Sequence, residues 1–117
     1  MTEPLPAKDS EENIFKPERV SRIIDAELLL QQTFAVDPRQ GCALLFRLYY
    51  APLCSHVIRF VYSKQVAEDI VAEVFCKFWD GRIFQKINTS YRAYLFKCAR
   101  HSAYDYVKFK LVKNSPD

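Results

Sequence analysis

The sequence predicts an all-α fold, a compact four-helix domain, and three observations support this prediction. Apolar residues recur at helical spacing from about residue 19 onward. Only two of the 117 residues are glycine, whereas a sheet protein of this size usually needs more glycines in its turns. Half of the residues are hydrophobic, so a chain of this length can build one packed core and hardly two.

The N-terminal segment, residues 1–18, is predicted to be a disordered tail because it is polar and rich in proline. The helical domain is expected to span residues 19–113, and residues 114–117 to be a truncated end or the start of a linker. A first helix is predicted from about Val20 to Val36. Its expected core positions are Ile23, Ile24, Leu28 and Phe34.

The second helix has a clear start signal. Asp37 can cap it and Pro38 suits its first position. The helix is predicted to run to about Tyr62, and Pro52 lies inside it and is expected to kink it.

The third helix is predicted for residues 64–80, after a cap at Ser63 and before a stop at Gly81. One broad side of it is apolar and belongs to the core. The opposite side is acidic, and its small side chains would let another helix come close. This stripe contains Asp69, Ala72, Glu73, Cys76 and Asp80.

The last helix follows a loop predicted for residues 82–89, and Thr89 or Ser90 can cap it. One side of this helix, from Tyr91 to Phe109, is expected to pack in the core. The other side is basic and aromatic. Cations neutralise phosphates, and aromatic rings stack on unpaired bases. The pattern therefore favours a nucleic acid with partly exposed bases as the ligand of Tyr94, Lys97, Arg100, His101, Tyr104 and Lys108.

Charge is unevenly distributed along the chain. Residues 82–113 carry eight basic side chains and one acidic side chain, whereas residues 1–81 carry nine basic and twelve acidic ones. Such asymmetry suggests two different partners, one of them a polyanion. A merely solvated basic helix face would give the same charge pattern, so charge alone leaves both readings open.

Several classes of function are disfavoured by the residue content. The four cysteines are far apart and show no ligand spacing, so we expect reduced thiols, no metal site and no cofactor. His56 and His101 are the only histidines, and no nucleophile motif or glycine-rich loop accompanies them, which makes an enzyme the weakest hypothesis. No export signal or membrane-spanning apolar run is evident, so a cytoplasmic protein with no membrane partner is expected.

Two segments together carry a family resemblance. VAEDIVAEVFCKFW and, after a short loop, YRAYLFKCARHSAYDYVK resemble region two of bacterial RNA polymerase sigma factors of the extracytoplasmic-function type. The upstream string FRLYYAPLCSHVIRFVYS is similar to the preceding helix of that region. The resemblance covers roughly residues 22–110.

The resemblance implies two binding surfaces and no catalysis. The acidic stripe would dock on the clamp helices of the largest subunit of core RNA polymerase, through Asp69, Ala72, Glu73 and Cys76. The loop and the last helix would melt the promoter and read its −10 element on the non-template strand, with one base flipped into a pocket of the loop. The residues that would bind DNA are Phe84, Gln85, Lys86, Asn88, Arg92, Tyr94, Lys97, Arg100, His101, Tyr104 and Lys108.

The chain departs from the family pattern in a few places. Ala72 stands where glutamine is usual, and His101 where asparagine is usual. Lysines at 108 and 110 replace part of an arginine cluster, which keeps the attraction to phosphate but loses bidentate geometry. A complete factor of this type continues into a second domain that reads the −35 element, so we expect a fragment or a truncated relative.

A second hypothesis keeps the fold but not the promoter function. The chain would then be a protein-interaction module held by an anti-sigma partner. A sigma module should prefer single-stranded −10-like DNA and bind it in a salt-sensitive way, whereas an interaction module should show no strand preference.

Overall fold

The computed structural model describes residues 17–114, and the chain forms four α-helices there, with no strand in this range. A single 3-10 turn, Ile83–Gln85, interrupts the loop between the last two helices. The predicted all-α four-helix fold is confirmed. The helices are α1 (Pro17–Val36), α2 (Pro38–Val61), α3 (Lys64–Asp80) and α4 (Tyr91–Lys113).

The helix starts follow from short polar side chains. Asp37 accepts a hydrogen bond from the backbone N–H of Arg39 through Oδ1, at 3.0 Å, and Pro38 is the first residue of α2. Ser63 caps α3. For α4, of the two predicted candidates it is Ser90 that caps, because its Oγ accepts from the backbone N–H of Ala93 at 2.9 Å.

The helix ends differ slightly from the predictions. α1 begins at Pro17, so residues 17 and 18 are helical; residues 1–16 of the predicted tail lie outside the described residues, as do residues 115–117. α3 ends at Asp80, just before Gly81 as predicted, but the left-handed residue is Arg82, with φ of 50°. A left-handed arginine costs more than a left-handed glycine, so the packing of the following turn has to hold it.

The central element is α2, which contacts α1, α3 and α4. Its inward side chains Leu45, Leu53 and Val57 are fully buried. By length and composition alone α2 could cross a membrane, because an 18-residue stretch within it has a mean hydropathy of 1.2. The expectation that no apolar run approaches such a length was therefore wrong, although the core helix of a protein without a membrane passes the same test.

The buried face of α1 is rotated relative to the prediction. Phe34 is buried, but Ile24 and Leu28 are 52% and 51% exposed, so these two expected core positions were wrong. The inward face instead carries Glu27 and Leu30, at helical spacing from Phe34. A carboxylate lies on the inward side because it has polar partners there.

The core side of α4 is close to the predicted one. Tyr91, Leu95 and Ala99 are buried, and Ala103 is buried as well, although the pattern did not single it out. Phe109 is 60% exposed, so its predicted core position was wrong, because the last turns of α4 extend past the other helices' packed surfaces.

Candidate nucleic-acid interface

The exposed side of α4 combines positive charge with aromatic surface. Lys97, His101, Tyr104 and Lys108 are all exposed there, and we call these four residues the basic face. They follow one another at three- and four-residue intervals, which places them along one line of the helix. Tyr104 leaves half of its surface open to solvent.

An aromatic row borders the basic face on the side of α2. The guanidinium of Arg92 lies 4.7 Å from the centre of the Phe96 ring. The Phe96 ring meets His56 of α2 edge-on at 5.3 Å, and His56 meets Phe60 at 5.4 Å. Phe60 in turn meets Tyr104 edge-on at 5.3 Å. These contacts lock α4 against α2 and hold the Tyr104 ring at the edge of the surface.

His56 is the polar member of this row. Its Nε2 is the one buried side-chain nitrogen or oxygen without a hydrogen-bond partner among residues 17–114. Burial lowers the pKa of His56, and the positive charges of Arg100, Arg59 and Arg92 lower it further. The neutral imidazole is therefore the form that fits the fold.

The loop before α4 is anchored by aromatic stacking. The Phe84 ring stacks on Phe34 of α1, with centroids 5.3 Å apart, and on Trp79 of α3, at 5.7 Å. Phe34 also stacks on Tyr91 at 5.1 Å, so its ring lies between the loop and the start of α4. A Cβ on Gly41 would lie 2.5 Å from the Phe34 ring, which explains why glycine stands beneath it.

A half-open pocket of about 420 Å³ lies between this loop and α1. Asn88 lines it, as does one edge of Phe84, whereas the exposed Gln85 and Lys86 do not. The pocket is mostly polar. Its lining residues are Glu27, Gln31, Phe84, Ile87, Asn88, Thr89, Ser90 and Tyr91.

Glu27 of α1 ties three helices together at the base of this pocket. Its Oε1 accepts from the backbone N–H of Tyr91 at 2.8 Å, and its Oε2 from the N–H of Arg92 at 3.1 Å. Oε2 also accepts from the Tyr49 hydroxyl of α2 at 3.2 Å. Burial, the Glu27 charge and this hydrogen bond raise the pKa of Tyr49 to about 12, so the hydroxyl remains a donor. The carboxylate thus caps α4 from another helix.

The acidic stripe lies on the exposed side of α3, as the sequence predicts. Asp69, Ala72, Glu73 and Cys76 are all exposed. Lys77 lies 3.6 Å from a Glu73 oxygen, an exposed pair one turn apart that contributes little to stability. The stripe therefore presents carboxylates beside small side chains, with room for an incoming helix.

The acidic stripe and the basic face meet at a shallow cleft of about 230 Å³ between α3 and α4. Glu73 and Lys77 line it from α3, and Tyr94 and His101 line it from α4. The two candidate binding surfaces are thus neighbours on one side of the molecule.

The predicted DNA-binding residues fall into separate groups in the structure. Arg92 and Arg100 are half-buried toward α2, while Tyr94 is half-buried toward α3. The predicted DNA-binding residues on the basic face and on the exposed side of the loop remain accessible to a ligand. The open residues are Lys97, His101, Tyr104, Lys108, Gln85, Lys86 and Asn88.

Sequence reasoning missed the contribution of α1 to this region. Glu27 and Gln31 lie one turn apart and both face the pocket. The sequence did contain a sign of this role, because Glu27 shares a helix face with Leu30 and Phe34. A carboxylate on a buried face needs hydrogen-bond donors from other elements. Thr89 and Ser90 also line the pocket.

The described residues show no cluster suited to a metal ion. Within the range 17–114 no three histidine, cysteine, aspartate or glutamate side chains are grouped to bind one. All four cysteines are free thiols, and burial raises the pKa of Cys42 to about 11. At neutral pH this thiol is therefore uncharged.

Comparison with known proteins gives one match. The family model of sigma-70 region 2 matches residues 45–110, more than half of the chain. Searches of curated proteins and of solved structures each found no match. The matched segment includes most of α2, all of α3 and the loop, and α4 almost to its end, whereas α1 precedes it.

Replacing Glu27 should loosen the start of α4. We expect Glu27→Ala to lower the free energy of unfolding by about 2 kcal/mol, because two backbone N–H groups and one hydroxyl lose a charged acceptor. Urea denaturation measures this. Asp25→Ala removes the same charge from an exposed site on the same helix and should change stability by less than about 0.5 kcal/mol. Equal losses for both variants would contradict the capping role.

Acid should destabilise the protein through His56. The fold lowers the pKa of His56, so proton binding to His56 favours the unfolded state. The contribution of neutral His56 to the free energy of unfolding is therefore complete above about pH 6.5 and is lost as the pH falls through the pKa of the folded state. Stability measured by urea denaturation should therefore fall less between pH 7.5 and pH 5.5 in His56→Phe than in the wild type. The same pH slope in both proteins would refute this assignment.

Proposed function

Since the chain belongs to the sigma-70 region 2 family, we propose that it is the promoter −10 recognition and melting module of an extracytoplasmic-function-type sigma factor. Region 2 domains of this family bind core RNA polymerase and take part in promoter recognition, and they are non-enzymatic transcription initiation domains. The extracytoplasmic-function type is favoured by the two segments quoted above. The observation that carries the proposal is the basic face of α4, which meets the acidic stripe at a cleft, while the polar pocket lies at the N-terminal end of the same helix.

The basic face would hold the DNA backbone. Lys97 and Lys108 would each neutralise phosphates and release counterions, which makes binding weaken as salt rises. Tyr104 lies between them along α4 and offers an exposed ring on which an unpaired base can stack. A surface with both properties favours a strand whose bases are exposed over an intact duplex.

The pocket beside the loop would receive one unpaired base. Its volume of about 420 Å³ lies within the range of about 300–1,000 Å³ that small-ligand sites occupy. Capturing a base there would offset the few kcal/mol that unpairing and unstacking cost. Promoter melting on this account needs binding energy alone, and the polymerase carries out the chemistry.

The acidic stripe would dock on core RNA polymerase. Asp69 and Glu73 are exposed carboxylates one turn apart on α3, and they suit a basic partner helix. Ala72 and Cys76 between and beside them let the partner backbone approach. Because this surface faces away from the core, docking would not require the domain to unfold or repack.

A protein-interaction role is the alternative, and α1 offers one observation in its favour. Val20, Ile24 and Leu28 form an apolar row at four-residue spacing, and each side chain is about half exposed. An anti-sigma partner could cover this row. A factor that acts only through such contacts would not distinguish single-stranded from duplex DNA.

Removing two cations of α4 should weaken DNA binding and reduce its salt dependence. We expect Lys97→Ala with Lys108→Ala to lower affinity for single-stranded DNA of every sequence and to flatten the plot of log affinity against log salt by up to about 1.4, about 0.7 for each lost contact. Fluorescence anisotropy with single-stranded and duplex oligonucleotides at several salt concentrations measures both quantities.

The matched control removes the same charge elsewhere. Arg39→Ala with Lys64→Ala alters two exposed cations at the starts of α2 and α3 and should leave the salt slope unchanged. An unaltered slope in the α4 variant, or equal affinity of the wild type for both DNA forms, would overturn the proposed DNA-binding role.

A further inference from the structure

The pocket beside the loop has two kinds of wall. The residues from Ile87 to Tyr91 belong to the segment that matches the family, whereas Glu27 and Gln31 come from α1, which precedes that segment. α1 therefore adds polar side chains to this pocket from outside the matched segment.

Some polar side chains of the pocket already make hydrogen bonds within the described residues, whereas others make none there. Glu27 Oε2 already accepts two hydrogen bonds, and its Oε1 accepts one. The Ser90 hydroxyl is engaged as the cap of α4. In the part of the chain that the structure describes, no hydrogen bond joins the Gln31 or Asn88 side chain to another residue. The two amides are thus available to a ligand.

We propose that Gln31, with Asn88, reads the identity of one unpaired base in this pocket and favours adenine or cytosine over thymine. This inference rests on the proposed function, because it takes single-stranded promoter DNA as the ligand. It adds a specificity-determining residue from α1 that lies outside the loop and outside α4.

The preference follows from the Gln31 amide, which would hold the edge of the base, together with an acceptor of Glu27 that remains open. A side-chain amide offers one carbonyl acceptor and an NH2 donor, which match the paired acceptor and amino groups on the edge of adenine or cytosine. Glu27 lines the same pocket as Gln31, and its Oε1 accepts only one hydrogen bond from the described residues, so this oxygen can accept a second one from a donor on the base. Thymine has a carbonyl oxygen at the position where adenine and cytosine have an amino group. That oxygen would face the Glu27 carboxylate with no hydrogen atom between the two oxygens, which is unfavourable.

The position of Gln31 is fixed well enough to discriminate. Glu27, one turn earlier, is held by three hydrogen bonds, and Phe34, one turn later, is stacked between Phe84 and Tyr91. The α1 backbone between these two anchors is therefore firmly placed against the loop. The Gln31 side chain therefore extends from a fixed backbone position at the pocket, which favours direct readout of a bound base.

The experiment uses the full chain and a pool of single-stranded oligonucleotides randomised at each position in turn. Sequencing of the bound and free fractions gives the base preference of each protein. We expect the wild type to enrich adenine or cytosine over thymine at one position, and Gln31→Ala to reduce that enrichment about fivefold or more. Total affinity should change less than this ratio.

Two control variants separate this role from others. Gln32→Ala removes the same amide from the adjacent exposed position, which does not line the pocket, and Gln85→Ala removes one from the exposed side of the loop. Both should keep the wild-type preference. Circular dichroism and urea denaturation should show that Gln31→Ala folds with wild-type stability, since its side chain holds no other element.

The outcomes distinguish this inference from the proposed function. If the wild type binds single-stranded DNA but Gln31→Ala retains the full preference, or if the wild type shows no preference for an amino base at any position, the role of Gln31 is overturned while the DNA-binding function stands. If the wild type does not prefer single-stranded DNA at all, both are overturned.

Discussion

The carboxylate of Glu27 is the interaction on which the geometry of the candidate interface depends. It joins α1 to the first two backbone N–H groups of α4, more than 60 residues away in sequence, and to the Tyr49 hydroxyl of α2. The first N–H groups of a helix have no partner within the helix, and a negative charge there also complements the helix dipole. One side chain thereby fixes where α4 starts, and with it the line along which its cations and rings are displayed.

Aromatic packing also positions the loop and the start of α4, in addition to the hydrogen bonds of Glu27. Phe34, two turns after Glu27, lies between Phe84 of the loop and Tyr91 of α4, and Gly41 leaves space for its ring. α1 therefore positions both the loop and the start of α4, although it lies outside the segment that matches the sigma-70 region 2 family. The exposed residues of α4 are thus displayed on a buried framework to which α1 contributes.

Much of the fold followed from local signals, because caps and helix stops act over a few residues. Asp37, Ser63 and Gly81 marked boundaries that the structure confirms. The orientation of α1 did not follow, since an apolar pattern alone could not reveal that Glu27 turns inward to serve a helix 64 residues away. The acidic stripe and the basic face could be predicted as exposed faces from helical periodicity. The pocket could not, because it forms only where α1 meets the loop.

The most direct test of the central claim, that this domain docks on RNA polymerase through its acidic stripe, is a pull-down of the full chain with core RNA polymerase. Wild type, Glu73→Lys and Asp25→Lys would be compared, the last making the same charge change on an exposed site of α1. The account predicts that the wild type and Asp25→Lys are retained and that Glu73→Lys is lost, because a lysine in the stripe repels a basic partner helix. Equal retention of all three would place docking on another surface, and failure of the wild type to bind would contradict the sigma-factor role.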